Sequence, residues 1–325
     1  MNLFVNGVML VAGFVFLIKG ADMLVDGASS LARTLRISDL AIGLTVVSFG
    51  TSTPELFVNI TASLAGNNEM AVGNVIGSNI ANVLLILGVS AIIMPLSVGR
   101  GTIWKAIPFC LLSMVVAMVA ANDIFFDQST VSVFSRSEGI TFLLFFIIFL
   151  YYTGTIAKDT TVFSPLAPED TRRVPVSLFL IVIGLLGLKF GGDFVVKGAL
   201  GLAEIIGISE AVAGLTIVAL GTSLPELATS AVAAWRGQVD IAVGNVVGSN
   251  IFNIFLVMGI SSVIHPIPFD TSLNPDMFIA FFASLLLFIF MFTGIRERVD
   301  RWEGGVFLFM YVAYVGYLFL GRVPA

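Results

Sequence analysis

The sequence predicts an all-α membrane protein of ten transmembrane helices, built from two inverted five-helix repeats in which helices 2 and 7 are broken. Three observations support this fold class: an apolar composition, a duplicated segment and a helix-breaking hexapeptide in each copy. Of the 325 residues, 58% are hydrophobic and only 11% are charged. Soluble domains carry about 25% charged residues, so the expected solvent is the bilayer.

Ten stretches are long and apolar enough to cross a bilayer, since a spanning helix needs about 20 residues. They lie near residues 3–20, 37–65, 70–95, 103–121, 138–157, 175–195, 208–236, 240–264, 276–294 and 302–321. No basic segment precedes the first stretch, which therefore predicts a spanning helix and not a cleaved signal. The second and seventh stretches are too long for one straight crossing, and they contain the hexapeptides GTSTPE and GTSLPE.

The chain aligns with itself at an offset of 171 residues. AVGNVIGSNI at 71–80 meets AVGNVVGSNI at 242–251, with one difference in ten positions. Each half holds five predicted helices, and an odd number makes the second copy enter the membrane from the opposite side. Inverted repeats of this kind are typical of secondary transporters. We expect a first repeat at 1–157, a cytoplasmic linker at 158–174 and a second repeat at 175–325.

The charges predict an orientation in the membrane. If the N-terminus lies outside, twelve of the sixteen Lys and Arg residues fall on the inner side. This positive-inside bias predicts that both termini lie outside. The expected location is the cell inner (plasma) membrane. The single cysteine, Cys110, excludes an intrachain disulfide, and with only one histidine, His265, the chain is a poor candidate for zinc sites or Cys–His catalysis.

The hexapeptide breaks its helix where a carboxylate is costly. Pro54 has no N–H, so the carbonyl of Gly50 loses its helical partner, and the carbonyls from Ser48 to Thr51 are expected to be free. Broken backbone persists at membrane depth only against protein or a water-filled cavity. Free carbonyls, hydroxyls and the carboxylates of Glu55 and Glu226 are the oxygen ligands that a dehydrated hard cation needs.

A second interpretation of the hexapeptide is structural. Ser52 and Glu55 have the spacing of a capping box, and Ser223 and Glu226 repeat it. A carboxylate in mid-membrane costs about 2.5–3.5 kcal/mol on insertion scales, and serine or glutamine could cap the helix at lower cost. The sequence therefore favours a cation-binding role for the two glutamates.

The segments that follow each break carry a polar stripe on one helical face. Its residues are spaced i, i+4 and i+8: Asn74, Ser78 and Asn82 in the first repeat, and Asn245, Ser249 and Asn253 in the second. For Asn74 and Asn245 a seam of interhelical hydrogen bonds is an equally good interpretation. The other four residues lie deeper, nearer the glutamates. Asn79 and Asn250 lie off the stripe and are interpreted as packing or gating residues.

The paired motifs GTSTPE…GNVIGSNIAN and GTSLPE…GNVVGSNIFN resemble the two repeats of the cation/calcium exchanger superfamily, most closely its prokaryotic sodium/calcium exchanger branch. The resemblance covers nearly the whole chain. It implies an antiporter, not an enzyme, whose ions bind between helices 2, 3, 7 and 8 while helices 1 and 6 slide. The implied calcium ligands are the carboxylates of Glu55 and Glu226 and the carbonyls of Thr51 and Thr222.

The resemblance also implies the sodium ligands and the partners. The sodium ligands are Ser48, Thr51, Ser52, Glu55, Ser78, Asn82, Ala219, Thr222, Ser223, Glu226, Ser249 and Asn253, with Ser48 and Ala219 acting through their carbonyls. Calcium and sodium are the transported substrates, and no cofactor is expected. The other expected partner is the lipid bilayer, nucleic acid has no role, and one chain completes the site as a monomer.

Asn253 departs from similar prokaryotic exchangers, which carry an aspartate there, and from potassium-dependent relatives, which also carry an acid. We therefore expect exchange without potassium, while the stoichiometry stays open. A calcium/proton exchanger of the same fold is the main alternative, because burial disfavours a charged carboxylate and protons can then compete. A passive cation channel and an intramembrane hydrolase that uses the two glutamates are more distant alternatives.

Two further features carry competing interpretations. Glycines on helices 1 and 6 (Gly7, Gly13, Gly20, Gly184, Gly187 and Gly191) provide either sliding faces or ordinary packing. Asp22 and Asp193 match across the repeats, and we interpret them as solvated helix ends or as residues on the cation access route.

Overall fold

The computed structural model describes residues 3–66, 68–157, 172–206 and 219–322. Its helices are α1 (Leu3–Leu35), α2 (Asp39–Thr51), α3 (Thr53–Leu64), α4 (68–93), α5 (Thr102–Ala120), α6 (Asp123–Phe126), α7 (Arg136–Ala157), α8 (Val174–Ile206), α9 (Ala219–Gly221), α10 (Leu224–Trp235), α11 (Val239–Ile264), α12 (Asn274–Phe290) and α13 (Arg301–Arg322). A 3₁₀ turn, Thr271–Leu273, precedes α12. Most of the predicted linker and the start of the seventh predicted span lie outside the described residues.

The structure is that of a mostly helical membrane protein. Among the described residues, seven helices are long and apolar enough to span a bilayer: α1, α4, α5, α7, α8, α11 and a helix that joins the turn Thr271–Leu273 to α12. The pair α2 and α3 qualifies as an eighth, bent by 46° at its break. The most apolar stretches of α4 and α11 are 72% and 78% buried, against 39% or less in the other candidates. These two helices therefore form the centre of the molecule.

Central helices α2, α4 and α11 contain wide π-helical turns. They lie at Gly43–Val47, Ala81–Leu87 and Phe252–Met258, and the last two are 171 residues apart. Such turns are often found at functional sites, because the extra residue per turn shifts the side chains that follow around the helix. The polar stripe of α4 and its counterpart on α11 lead directly into these turns.

Helices α1 and α8 form a long antiparallel pair. Both have 33 residues and extend well past the predicted spans at 3–20 and 175–195. Gly20 lies so close to Gly184 that a Cβ atom on Gly20 would come within 2.8 Å of the Gly184 carbonyl oxygen. Gly13 and Gly191, about two helical turns further along the two helices, approach each other in the same way. These glycines therefore pack the two helices against each other. Gly187 joins this contact, whereas Gly7 has open space around it among the described residues.

Two loop clusters define opposite ends of the molecule. At the first, which we call the arginine end, β1 (Leu96–Ser97) pairs with β4 (Arg298–Val299). The same end holds Arg172, whose carbonyl accepts a hydrogen bond from Thr34, and Gly237, which lies beside Met94. At the second, the distal end, β2 (Val133–Phe134) pairs with β3 (Ile267–Pro268), and Asn122 and Asn274 exchange hydrogen bonds.

An ionic cluster ties α1 to its neighbours near the arginine end. Arg236, at the end of α10, forms ion pairs with Asp22 and Asp26, and Arg172 pairs with Asp26 at 2.8 Å. Ser29 of α1 donates a hydrogen bond to Gln238. Asp22 is therefore inside a helix and paired, so the prediction of a solvated helix end is wrong for this residue. The polar residues that follow it continue the helix because each finds a partner.

Candidate cation site

The two hexapeptides interrupt their helices in the same way. Ser52 (φ −82°, ψ 5°) and Ser223 (φ −86°, ψ 2°) leave the helical region, and a new helix starts immediately after each, with proline in its first turn. The break frees fewer carbonyls than predicted, because the Ser48 carbonyl accepts the Ser52 N–H at 2.9 Å. That expectation is wrong for Ser48. The Gly50 carbonyl has no N–H partner four residues later in the chain, because Pro54 has no backbone N–H.

Each glutamate lies beside hydroxyl groups of the opposite hexapeptide. Ser52 donates to Glu226 Oε1 at 3.1 Å, and Thr51 lies beside the same carboxylate while its hydroxyl donates to Asn245 Oδ1. Reciprocally, Thr222 lies beside the carboxylate of Glu55, and its hydroxyl donates to Asn74 Oδ1 at 3.4 Å. Neither Ser52 nor Ser223 caps its own helix through its side chain, so the capping alternative is not what the structure shows. The two breaks instead face each other and form one polar site.

The site holds two buried carboxyl groups. Glu55 and Glu226 are each 1% exposed, and they are close enough to interact electrostatically. No arginine or lysine in the described ranges forms an ion pair with either. Two buried carboxylates without a counter-ion are strongly unfavourable, because burial removes water and the like charges repel. The arrangement therefore calls for cations.

The central helices add oxygen atoms to the same region. Ser78 of α4 accepts a hydrogen bond from Ser223 at 3.3 Å, and Ser249 is its buried counterpart on α11. Asn82 and Asn253 are each 1% exposed. Several oxygens of the predicted site are buried without a hydrogen-bond partner in the structure: Glu55 Oε2, Glu226 Oε2, Asn82 Oδ1, Asn253 Oδ1 and Ser249 Oγ. Unpartnered buried oxygens are rare, and a set of them around two carboxylates suits a hard cation.

Asn74 and Asn245 fit the seam interpretation. Asn245 accepts a hydrogen bond from Thr51 at 3.0 Å and donates to Ser230 at 3.0 Å. Asn74 donates to Asn59 Oδ1 at 2.7 Å. Both amides thus connect a central helix to a broken helix. The sequence analysis missed Asn59 and Ser230. Their position one turn after the two glutamates, on the same helical face, was the available signal.

Two predicted sodium ligands have a less direct connection to the glutamates. The Ser48 hydroxyl donates to the Thr45 carbonyl at 3.3 Å and lies against Gly248 of α11, where a Cβ atom would come within 2.6 Å of it. Its backbone carbonyl accepts the Ser52 N–H at the break. Ala219 begins the short helix α9, and the residues before it lie outside the described ranges.

A cavity of about 620 Å³ reaches the site between α3 and α8. Its base is formed by both breaks, through Thr51 and Thr222, and Thr53 also lines it. Asp193 projects from α8 into the same cavity, between Lys189 and Lys197. Asp193 therefore lies on a path to the site, whereas its counterpart Asp22 is engaged with Arg236.

Comparison with known proteins agrees with this geometry. The family described as "Sodium/calcium exchanger protein" matches residues 5–154 and 176–320. The chain belongs to the sodium/calcium exchanger protein family. It is 35% identical over 352 aligned positions to the sodium/calcium exchanger MaX1 of Methanosarcina acetivorans, covering 97% of this chain and 99% of that one. It is also 40% identical to the inner membrane protein YrbG of Escherichia coli, over 79% of each chain.

A solved member of the family has the same fold. The sodium-calcium exchanger NCX_Mj, soaked with 10 mM Na⁺ and zero Ca²⁺, superposes with a TM-score of 0.83 at 34% identity, covering 98% of this chain and all of that one. The predicted resemblance to prokaryotic sodium/calcium exchangers is confirmed. This exchanger-family chain is thus a multi-pass membrane antiporter of cations, in a family of transporters and not of enzymes.

Proposed function

We propose that the protein exchanges sodium for calcium across the cytoplasmic membrane by alternating access and thereby extrudes calcium without potassium. The observation that carries this proposal is the polar site between the two breaks. There, two buried carboxylates lie beside hydroxyls of the opposite repeat, Ser52 donates to Glu226, and each carboxylate keeps one oxygen without a partner. Hydroxyl oxygens suit sodium and calcium, whereas protons do not need them.

The charge of the site explains coupling between the two ions. Two carboxylates balance one Ca²⁺ or two Na⁺, and both ions use Glu55 and Glu226. Occupation by one cation therefore excludes the other. The unloaded site keeps two uncompensated charges, which oppose movement of α1 and α8 past it through an apolar seam. A third sodium would leave a net positive charge, so the stoichiometry is a matter for measurement.

Calcium and sodium are assigned overlapping ligand sets. Calcium binds the carboxylates of Glu55 and Glu226 together with the carbonyls of Thr51 and Thr222. Sodium adds the hydroxyls of Ser52, Ser223, Ser78 and Ser249 and the carbonyls of Ser48 and Ala219. Asn82 and Asn253 line the middle through their unpartnered Oδ1 atoms. Asn253 is neutral, which supports the absence of a potassium requirement.

The membrane architecture is part of the proposal. Ten spans, in inverted repeats at 1–157 and 175–325 joined by the linker 158–174, are supported by the way successive loops alternate between the arginine end and the distal end. The antiparallel course of α1 and α8 is in agreement with inversion. Both termini then lie at the distal end, outside the cell, with the arginine end inside. A single chain supplies both breaks, so a monomer suffices.

Flux into liposomes tests the function. Purified protein is reconstituted into vesicles loaded with sodium, and uptake of radioactive calcium is followed after dilution into sodium-free buffer, with and without external potassium. We expect uptake that depends on the sodium gradient, does not need potassium and is lost in Glu55→Gln and in Glu226→Gln. Glu297→Gln is the matched control, since Glu297 lies in an exposed loop and pairs with Arg100.

A parallel arm replaces the sodium gradient with an outward proton gradient. The buried carboxylates make protons the one competing substrate with a structural basis. Uptake driven only by protons would overturn sodium coupling and make Glu55 and Glu226 proton carriers. Net calcium flux that continues with no sodium on either side and no proton gradient would point to a channel and overturn exchange.

A further inference from the structure

Four buried asparagines form a reciprocal network between α4 and α11. Asn79 donates to the backbone carbonyl of Asn250, and Asn250 donates to the carbonyl of Asn79. Asn253 donates to Asn79 Oδ1 at 3.0 Å, and Asn82 donates to Asn250 Oδ1 at 2.9 Å. Each contact in one repeat thus has its counterpart in the other, as across a local two-fold axis.

The orientation of every amide in this network follows from the backbone. A carbonyl oxygen can only accept, so Asn79 and Asn250 must direct their NH₂ groups at the two carbonyls. Their Oδ1 atoms therefore face Asn253 and Asn82, respectively. Asn253 and Asn82 must therefore donate through their NH₂ groups, so their own Oδ1 atoms take no part in the network. Both leftover oxygens are buried and without a hydrogen-bond partner in the structure.

We propose that Asn79 and Asn250 are positioning residues that hold the amides of Asn253 and Asn82 with their oxygens facing the transported cation. This inference rests on the proposed function and adds residues to it, since neither Asn79 nor Asn250 belongs to the assigned ligands. Rotated by half a turn, the same amides would present NH₂ groups to a cation and repel it. The network thus fixes the sign of the dipole at the middle of the site.

The same network favours an amide over an acid at position 253. An ionised carboxylate at this position would place an oxygen beside Asn79 Oδ1. Both atoms are acceptors, so no hydrogen bond could form and the two oxygens would repel. An amide supplies the donor and still offers a neutral oxygen to the ion. The site then keeps the two negative charges of Glu55 and Glu226, which one Ca²⁺ balances.

Double-mutant cycles test the proposal. The apparent calcium affinity is measured from sodium-driven uptake in Asn79→Ala, Asn253→Ala and the double variant, and in Asn250→Ala, Asn82→Ala and their double. Mutation of groups that orient ion ligands typically costs about 10–100-fold in metal affinity. We expect each single change to raise half-saturating calcium about tenfold, with a much smaller effect on the maximal rate. Each double should then be no worse than its worse single.

The inverted repeat supplies matched controls. Alanine at 79 retains the backbone carbonyl that orients Asn250, so Asn79→Ala with Asn82→Ala should behave as independent changes, and so should Asn250→Ala with Asn253→Ala. Independent effects multiply to about a hundredfold, whereas coupled ones do not. The positioning role would be overturned by equal coupling in the hydrogen-bonded pairs (79 with 253, 82 with 250) and in the control pairs (79 with 82, 250 with 253). Full additivity in all four pairs would overturn it too.

Controls for folding keep the result interpretable. Monodispersity and the unfolding midpoint without calcium are recorded for each variant, and Asn79→Ser and Asn250→Ser replace any alanine variant that does not fold, because their hydroxyls are too short to reach across. Wild-type protein without sodium-driven uptake would refute the proposed function itself. Wild-type uptake with no difference between the cycles of hydrogen-bonded pairs and those of control pairs would refute only the positioning of the amides.

Discussion

At the scale of single residues, the site depends on hydroxyl–carboxylate contacts that cross from one repeat to the other. Ser52 donates to Glu226, and Thr222 lies beside Glu55, so each carboxylate has a hydroxyl neighbour from the other half of the chain. A glutamate that only capped its own helix would have no reason to meet the other hexapeptide. The duplicated motif therefore has one combined site, not two separate ones.

Removal of one crossing hydroxyl should weaken sodium binding. Ser52→Ala deletes a donor to Glu226 and a proposed sodium ligand, and hydrogen bonds to charged groups contribute about 1.5–3 kcal/mol. We expect the sodium concentration that half-saturates exchange to rise about tenfold or more. Thr61→Ala is the control, since that hydroxyl bonds only within its own helix. Unchanged sodium dependence in Ser52→Ala would remove Ser52 from the ligands.

Much of the site could be predicted from sequence because its chemistry is local and duplicated. The hexapeptide contains its own helix breaker, hydroxyls and acid, and the offset of 171 residues shows which partners correspond. Two features could not be predicted. The hydrogen bond from Ser52 N–H to the Ser48 carbonyl depends on the actual turn geometry. The role of Asn59 depends on which face of α4 packs against it.

At the scale of helices, glycines hold α1 and α8 together. A Cβ atom on Gly20 would meet three backbone atoms of α8 at 2.7–2.9 Å, and backbone cannot move aside as a flexible side chain can. We therefore expect the two helices to act as one long unit and movement during transport to take place between this pair and the central helices. This geometry favours packing over sliding for the glycines between α1 and α8.

A methyl group in this interface should destabilise the protein. Overpacking typically costs about 1–3 kcal/mol, so Gly20→Ala is expected to lower the unfolding midpoint in a detergent thermal-shift assay. Gly7→Ala on the same helix is the control, because its Cβ atom would have open space, and alanine is favoured over glycine in a helix by about 0.5–1 kcal/mol. An equal effect of the two changes would contradict the close packing.

The break between α2 and α3 should be essential for transport but not for folding. Pro54→Ala gives residue 54 a backbone N–H, which can donate to the Gly50 carbonyl. The helix can then continue through Thr51 and Ser52. We expect sodium-driven calcium uptake to fall to background while the protein remains monodisperse. Pro275→Ala, in the first turn of α12 where proline is tolerated, should leave uptake near wild type. Full activity of Pro54→Ala would show that the bend is dispensable.

The lengths of α1 and α8 show what apolar stretches cannot predict. Asp22, Asp26 and Ser29 end the apolar run of the first span, yet the helix continues because Arg236 and Gln238 satisfy them from other elements. Those partners are more than 200 positions away in sequence. Hydropathy therefore located the apolar parts of α1 and α8, whereas the ends of these two helices are determined by tertiary contacts.

At the scale of the whole molecule, the two ends differ in charge and fix the expected orientation. The arginine end gathers Arg172, Arg236 and Arg298 beside the loops that β1 and β4 join. The distal end, with β2 and β3, has few basic residues. Positive charge is retained in the cytoplasm during insertion, so the arginine end should face inward.

Sided labelling tests this orientation. In a Cys110→Ser background, Gln128→Cys at the distal end should react with an impermeant thiol reagent applied to intact cells. Arg296→Cys at the arginine end should react only after the membrane is opened, because both residues are exposed but on opposite sides. Reversed labelling would invert the topology, and labelling of both from outside would show that these two loops share a side.

Within the described part of the chain, the ion pairs of Arg236 have no counterpart in the first repeat, where Ala65 occupies the corresponding position. The inward and outward conformations of this nearly symmetric molecule should therefore differ in energy. Partly exposed ion pairs contribute about 0.2–1 kcal/mol each, enough to shift a two-state population by a small factor and too little to lock it. If these ion pairs form on one side of the cycle only, a bias of that size would leave the exchanger reversible and favour one side as its resting state.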